Sequence, residues 1–448
     1  MAKVYKDSAL FRWGILLLVS FVLGANYYFF DALSPLQGIL ENKLGFGPKD
    51  YSDILSFYSF PNTFLFMCII GGIILDKLGI RLTGIIFISF MFIGALLTVY
   101  GTSNYYLNGG LGYEFLNSFW SSYSPEKKML SLGQLLFGLG AETSIVVITK
   151  IVVKWFQGYE IALALAINLG IARIGGYLAY IISPRLENIG WTLPIWFAGS
   201  LIAFSLLLYI VYVLYDYKLD KQLGEVKLLN KEDEFHLSDV FKVIKNRSFI
   251  FITLLCVTFY SAVFPFMKLA VRIFEIKFQI ETTLSSSIVS NLYLSTVILT
   301  PIFGWFIDKK GKAATLMILG SLVLCLSHLI IGFTSFSPYI PILMLGIAFS
   351  LLPAAMWPAV ARIIDENKLG TAYGIMFSLQ NLGLWGFLKL GGYIAEKVPK
   401  IVINGAQYHN YFYTILMFAG IGLIGLFFAI RLKREDKKSV YGLENPSL

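Results

Sequence analysis

The chain has 448 residues, of which 57% are apolar, 16% aromatic and only 14% charged, with a mean hydropathy of +0.72 and a formal charge of +9. This balance excludes a soluble globule, and the absence of period-2 alternation excludes a membrane β-barrel, which leaves a polytopic bundle of helices, an all-α fold. Nor is the positive charge a nucleic-acid signature. Most Lys and Arg fall in the tails and the even-numbered connections between apolar runs, the bias that places those segments in the cytoplasm.

Twelve spans are predicted, near residues 10–33, 51–75, 82–101, 129–153, 160–183, 191–215, 248–275, 284–307, 313–334, 339–363, 370–395 and 411–432. Lys3, Lys6 and Arg12 lead directly into a first span that continues past signal-peptide length, so no cleavable leader is expected. The long polar stretch 217–247 divides the chain into a six-helix half over 1–216 and a second over 248–432, with a tail over 433–448. The first span finishes in Asn26-Tyr27-Tyr28-Phe29-Phe30-Asp31, and Asp31 is expected to snorkel or cap at the outer interface. The second contains Tyr58-Ser59-Phe60-Pro61-Asn62, where the proline frees a carbonyl and predicts a kink. The loop 102–128 carries Tyr105, Tyr106, Tyr113, Phe115, Phe119, Trp120 and Tyr123, an aromatic belt for the outer interface or a flap over the outer mouth.

The fourth and fifth spans each hold one charge near the midplane, Glu142 and Arg173. An ionised group at that depth costs several kcal/mol unless it is paired or faces a watered cavity, so its default reading is functional. The competing reading is a pair whose members only neutralise each other inside the bundle. Gly72-Ile-Ile-Leu-Asp76-Lys77-Leu-Gly79-Ile-Arg81 closes the second span. The pattern returns 232 residues later as Gly304-Trp-Phe-Ile-Asp308-Lys309-Lys310-Gly311-Lys312 after the eighth. Asn168-Leu-Gly170 and Asn381-Leu-Gly383 form a second correspondence. Such recurrence is the mark of a duplicated transporter, and Asp76, Arg81 and Asp308 are assigned to gating at the cytoplasmic surface.

Cys68, Cys256 and Cys325 all lie in apolar runs, and His236, His328 and His409 are scattered, so neither a disulfide framework, a metal site nor a catalytic constellation is indicated. The expected protein is not an enzyme and needs no cofactor. Tyr58, Asn62, Asn168, Tyr260, Asn291, Trp357, Gln380 and Asn381 are placed in the substrate cavity by pattern, and each is equally explained as a helix-packing polar residue. Lys268 and Lys389 lie toward outer span ends, where snorkelling is expected.

Twelve spans, a central linker and the paired turns resemble the major facilitator superfamily. Tyr58-Ser-Phe-Pro61-Asn62, Phe137-Gly-Leu-Gly140-Ala-Glu142, Trp155-Phe156-x-Gly158-x-Glu160, Ala172-Arg173-Ile174-Gly175, Ala262-Val-Phe264-Pro265-Phe266, Leu369-Gly370-Thr-Ala-Tyr373-Gly374 and Gln380-Asn381-Leu-Gly383 narrow the resemblance to the domain-containing protein 1 group within it. The resemblance implies a dipeptide uniporter in which Glu142 meets the peptide amine and Arg173 the carboxylate. The chemistry agrees, because a zwitterion needs one acidic and one basic anchor and a guanidinium suits a carboxylate. Lys150 departs from the neutral residue expected there, and is assigned to the cytoplasmic interface. No acidic dileucine signal is present and the single sequon, Asn246-Arg247-Ser248, is cytoplasmic, which fits a bacterial inner membrane better than a lysosome. The expected partners are a dipeptide and the lipid bilayer, with no nucleic acid and a monomeric chain. Two alternatives stay open: a carrier of another zwitterion or organic anion, proton-coupled or not, and a non-transporting sensor on a transporter fold.

Overall fold

The structure is a computed structural model that describes residues 5–223, 243–365, 368–439 and 441–446, so most of the expected linker lies outside the described residues. The helices of the first part are α1 (Ala9–Ala32), α2 (Gln37–Leu44), α3 (Pro48–Ser56), α4 (Phe60–Phe64), α5 (Met67–Gly101), α6 (Asn104–Leu107), α7 (Tyr113–Asn117), α8 (Pro125–Phe156), α9 (Ile161–Glu187) and α10 (Leu193–Leu223). Those of the second are α11 (Arg247–Phe278), α12 (Thr282–Lys310), α13 (Ala313–Phe333), α14 (Tyr339–Ile363), α15 (Leu369–Lys397) and α16 (Phe412–Ser439). Ten helices among the described residues are long and apolar enough to cross a bilayer. The eleventh expected span corresponds to α15, equally long but less apolar. One departure from an all-helical chain is a hairpin of β1 (Ile401–Ile403) and β2 (Ala406–Tyr408), closed through Asn404 and Gly405, both at positive φ.

The helices start and stop where local chemistry requires. Ser124 accepts from the Lys127 amide with Pro125 in the first position of α8, and Asn246 caps α11 by accepting from the Ser248 and Phe249 amides, so the sequon asparagine is a helix cap. The kink expected in the second span is a full break. α3 ends in the turn 57–59, α4 begins with Pro61 in its first turn, where a missing N–H costs nothing, and Phe66 adopts φ 50° before α5 resumes. α5 then runs through the end of the second span and the whole of the third, interrupted at Gly79 (φ 73°, ψ 173°), a conformation that disfavours any side chain.

The described residues form two compact units, the first comprising residues up to Leu33 together with those from Phe64 to the end of α10. The second comprises Ser34–Thr63 and the described residues from α11 onward. Residues 34–63, expected to belong with the first half, therefore pack among the second-unit helices. The contacts that hold them are specific: Arg272 bridges Glu41 (2.9 Å) and Glu275 (3.0 Å), Lys389 pairs with the buried Asp53 (3.2 Å), and the Tyr51 hydroxyl donates to the Lys268 carbonyl (3.0 Å). Gly392 completes the fit, since a Cβ there would strike Ser52 and the Pro48 carbonyl. Two snorkelling assignments are corrected by this packing. Lys268 is 4% exposed beneath the segment, and Lys389 is engaged by Asp53. Asp31 is likewise buried at the end of α1 instead of reaching an interface.

The aromatic loop 102–128 folds into α6 and α7. Lys128 bonds the Leu116 (2.5 Å) and Phe119 carbonyls, and the buried Tyr106 donates to the Pro125 carbonyl (3.0 Å), which leaves Leu111, Phe115 and Trp120 exposed.

Candidate substrate-binding site

Glu142 lies near the midpoint of α8 and Arg173 near the midpoint of α9. The two helices pack against each other, and α1 packs against both. Close approach of α1 to α9 depends on Gly175, where a Cβ would run into the Gly24 carbonyl. That approach brings Tyr27 of α1 to the charged pair: the Arg173 guanidinium sits 5.7 Å from the centre of the Tyr27 ring, and Tyr27 lies within electrostatic reach of Arg173, Glu142 and Asp31. Cys68 of α5 is also within reach of Glu142. Glu142, Arg173 and Tyr27 are each half-buried. Sequence reasoning did not name Tyr27 among the candidate site residues; its signal was the polar finish of the first span, where four aromatics follow Asn26.

Around this set the polar residues of the first unit are occupied by helix packing. Asn168 accepts from Ser20 of α1 (2.8 Å), and Asn26 donates to the Ala141 carbonyl (3.2 Å). Asn168 thus fastens α9 to α1, which is the packing role.

Of the residues assigned to gating, Asp76 and Arg81 flank the Gly79 break of α5 and Asp308 lies in the last turn of α12. Arg81 donates to Asp216 through Nε (2.7 Å) and to its carbonyl through Nη2 (3.1 Å), and also reaches Asp220. Lys154 of α8 bonds both carboxylates at 2.8 Å, while Trp155 (3.3 Å) and Tyr212 (3.0 Å) donate to the fully buried Asp216. Two cations and two carboxylates balance, and α5, α8 and α10 are joined at one point. Asp76 accepts from Lys150 at 2.7 Å, both groups being exposed, which gives the unexpected lysine of α8 a partner. Asp308 is exposed at the end of α12.

In the second unit the structure brings together Tyr260 and Trp357: the indole N–H donates to the phenol oxygen (3.3 Å). Phe264 stacks on Tyr260 at 5.8 Å, Phe377 stacks on Trp357 at 5.1 Å, and the Tyr373 hydroxyl donates to the Trp357 carbonyl (3.3 Å), an aromatic cluster of which only two members were expected. Gln380 accepts from the Cys256 thiol (3.5 Å). Asn381 and Asn291 both donate to carbonyls of their own helices, Asn291 at the edge of a cavity of about 340 Å³ that Tyr339 and Leu343 also line. Tyr58 is buried in the turn before α4. Asn62 is completely buried there, with neither amide atom hydrogen-bonded among the described residues.

The sequence profile of the Major Facilitator Superfamily matches residues 16–386. The lysosomal dipeptide transporter MFSD1 of Mus musculus is 31% identical over 409 residues, 88% of this chain and 82% of its own length. That of Homo sapiens is 31% identical over 386 residues, 83% and 77% of the two chains, and that of Danio rerio 30% over 387 residues with the same coverage. The solved structure of the nucleoside transporter NupG superposes with a TM-score of 0.67 at 15% identity, covering 93% of this chain and 98% of that one; a mutant of it gives 0.70 at 13%. This chain belongs to the major facilitator superfamily, as a multi-pass membrane transporter and not an enzyme.

Proposed function

We propose that this protein carries dipeptides by alternating access as a uniporter, with Glu142 holding the peptide amine, Arg173 the peptide carboxylate, and Tyr27 fixing the orientation of Arg173. The observation that carries the reading is the placement of one acid and one base near the midpoints of two packed helices, both half-buried around a single aromatic ring. A dry neutralising pair is normally sealed from solvent, since partial hydration only weakens its mutual attraction. Half-exposure leaves both side chains within reach of solvent and of a ligand. The ends of an extended dipeptide lie about 6 to 7 Å apart, a gap that two adjacent helices span. Neither anchor reads a side chain, so broad side-chain tolerance follows. The similarity to the MFSD1 dipeptide transporters supports the same substrate class.

Counterflow into proteoliposomes tests this reading. Labelled dipeptide should exchange against unlabelled dipeptides of varied side chains without an imposed proton gradient. Exchange of free amino acids or monocarboxylates with no response to dipeptides would assign the site to a smaller anion or zwitterion.

A further inference from the structure

The two cytoplasmic turns share a sequence pattern, but their supports differ. Gly79 and Gly311 have nearly the same φ, 73° and 72°. A Cβ on Gly79 would meet nothing within 4 Å, whereas one on Gly311 would strike the backbone of residues 444–446. Those residues follow α16 and lie directly on the α12–α13 turn. The Lys312 amide donates to the Glu444 carbonyl and the Ala313 amide to the Leu443 carbonyl, both at 3.0 Å. The Glu444 carboxylate accepts from the Thr315 amide (2.8 Å) and hydroxyl (2.6 Å) and faces Lys433 at 3.4 Å.

These bonds answer a need of α13. Its capping residue, Lys312, is left-handed and offers no side-chain acceptor, so the first amides of the helix would lack partners. Two backbone carbonyls and a carboxylate from residues 443–444 supply them, and the negative charge stands at the positive end of the helix. The same short segment reaches other helix ends. Arg362 of α14 donates to the carbonyls of Gly442 (2.6 Å) and Asn445 (2.9 Å). Asn246, the cap of α11, donates to the Tyr441 hydroxyl (3.1 Å), the Leu443 amide donates to Asp436 of α16 (3.3 Å), and the Leu443 side chain is fully buried. Six residues thus touch the cytoplasmic ends of four helices and the turn that bears Asp308.

We propose that residues 441–446 form a strap that docks on the α12–α13 turn and braces the cytoplasmic ends of α11, α13, α14 and α16 as one block. In the first unit the corresponding work is done by Arg81, Lys154, Asp216 and Asp220 within the helices themselves. The strap is the second unit's substitute, added from outside the bundle. This inference does not depend on the substrate.

Hydrogen exchange on the full-length protein in detergent or nanodiscs tests it, with a variant lacking everything after Ser439 and with Leu443→Glu, which keeps the segment but expels its buried anchor. In both variants the Lys312, Ala313 and Thr315 amides should exchange about tenfold faster or more, as each loses a hydrogen bond. Exchange should also rise at Ser248 and Phe249 of α11 and in the last turn of α14, while α5 and α10 stay unchanged. Unchanged exchange at Lys312–Thr315 would show that the strap is not docked. Faster exchange confined to those three amides would show a local cap and overturn the brace. If the truncated chain does not fold, Leu443→Glu decides on the same peptides.

Discussion

Two groups of charge in the first unit each set acids beside bases and are treated in opposite ways. At one end of the unit, Asp216 is sealed and receives Arg81, Lys154, Trp155 and Tyr212, so that every charge has its counterpart and every donor its acceptor. Near the midplane, Glu142 and Arg173 are half-buried and arranged about the Tyr27 ring. A completed network holds helices in place but has no vacancy for a ligand. Half-exposed charges at a depth where they are costly are what the proposed function assigns to a ligand that enters.

The comparison can be broken most sharply at Asp216. Replacing it by Ala takes the acceptor from the buried Trp155 and Tyr212 donors and leaves Arg81 and Lys154 with Asp220 as their one carboxylate, which should cost about 3 kcal/mol of stability. The measurement is a large drop in apparent melting temperature in detergent, with dipeptide affinity of the surviving folded protein unchanged. If Asp216→Ala melts like the wild type, the network is not what joins α5, α8 and α10.

The midplane pair should respond in the reverse sense. Glu142→Gln or Arg173→Gln alone should leave the melting temperature nearly unchanged but remove one charge-assisted contact of roughly 1.5 to 3 kcal/mol, about a ten- to hundred-fold loss of dipeptide affinity. The double variant should lose binding altogether while remaining folded. Recovery of stability in the double variant after large losses in each single one would instead mark a mutually neutralising pair.

Smaller effects are expected at the exposed turns. Asp76→Asn removes a solvent-exposed ion pair with Lys150, worth no more than about 1 kcal/mol. It should slow counterflow, as should Asp308→Asn, while affinity stays within a few fold, which is the outcome expected of groups that act on the equilibrium between inward-open and outward-open states. Loss of binding in either folded variant would place them elsewhere in the cycle.

The smallest effect concerns Glu444. Partial burial pushes its carboxyl up, but the bonds from the Thr315 hydroxyl and amide and the charge of Lys433 outweigh this and hold it below the usual carboxylate value. A depressed native value means a stabilisation that is present above the unfolded pKa and is lost as pH falls through the native one. The melting-temperature difference between wild type and Glu444→Gln should therefore be full near neutral pH and vanish in acid below the ordinary carboxylate range. A difference that is constant with pH would assign the effect to shape and not charge.

Much of this was legible in the sequence because bilayer physics makes it so. Span length, the basic-residue bias and the rarity of midplane charge gave the fold and singled out Glu142 and Arg173 before any coordinates. Family likeness supplied the substrate class that is proposed for it. The misses share a cause: they depend on which helix packs beside which. Lys268, Lys389 and Asp31 look like snorkelling residues when each span is read alone, but Lys268 and Asp31 are buried and Lys389 is paired with Asp53, because residues 34–63 and the end of α1 pack against other elements. Tyr27 was hidden because an aromatic near a span end is ordinarily an interfacial anchor. Lys150 had no visible partner until the α5–α8 contact placed Asp76 beside it. The strap could not be read at all, since 441–446 carry no periodicity and their contacts are largely backbone carbonyls.

The central claim is that Glu142 and Arg173 grip opposite ends of a zwitterion, and a thermal-shift titration of the purified protein with one dipeptide and its blocked forms tests it most directly. Binding to the folded state raises the apparent melting temperature by mass action, whatever the direction of transport. The free dipeptide should stabilise the wild type, the N-acetylated form should fail for want of the amine that Glu142 holds, and the C-terminal amide should fail for want of the carboxylate that Arg173 holds. Stabilisation by either blocked form equal to that of the free dipeptide would contradict the account.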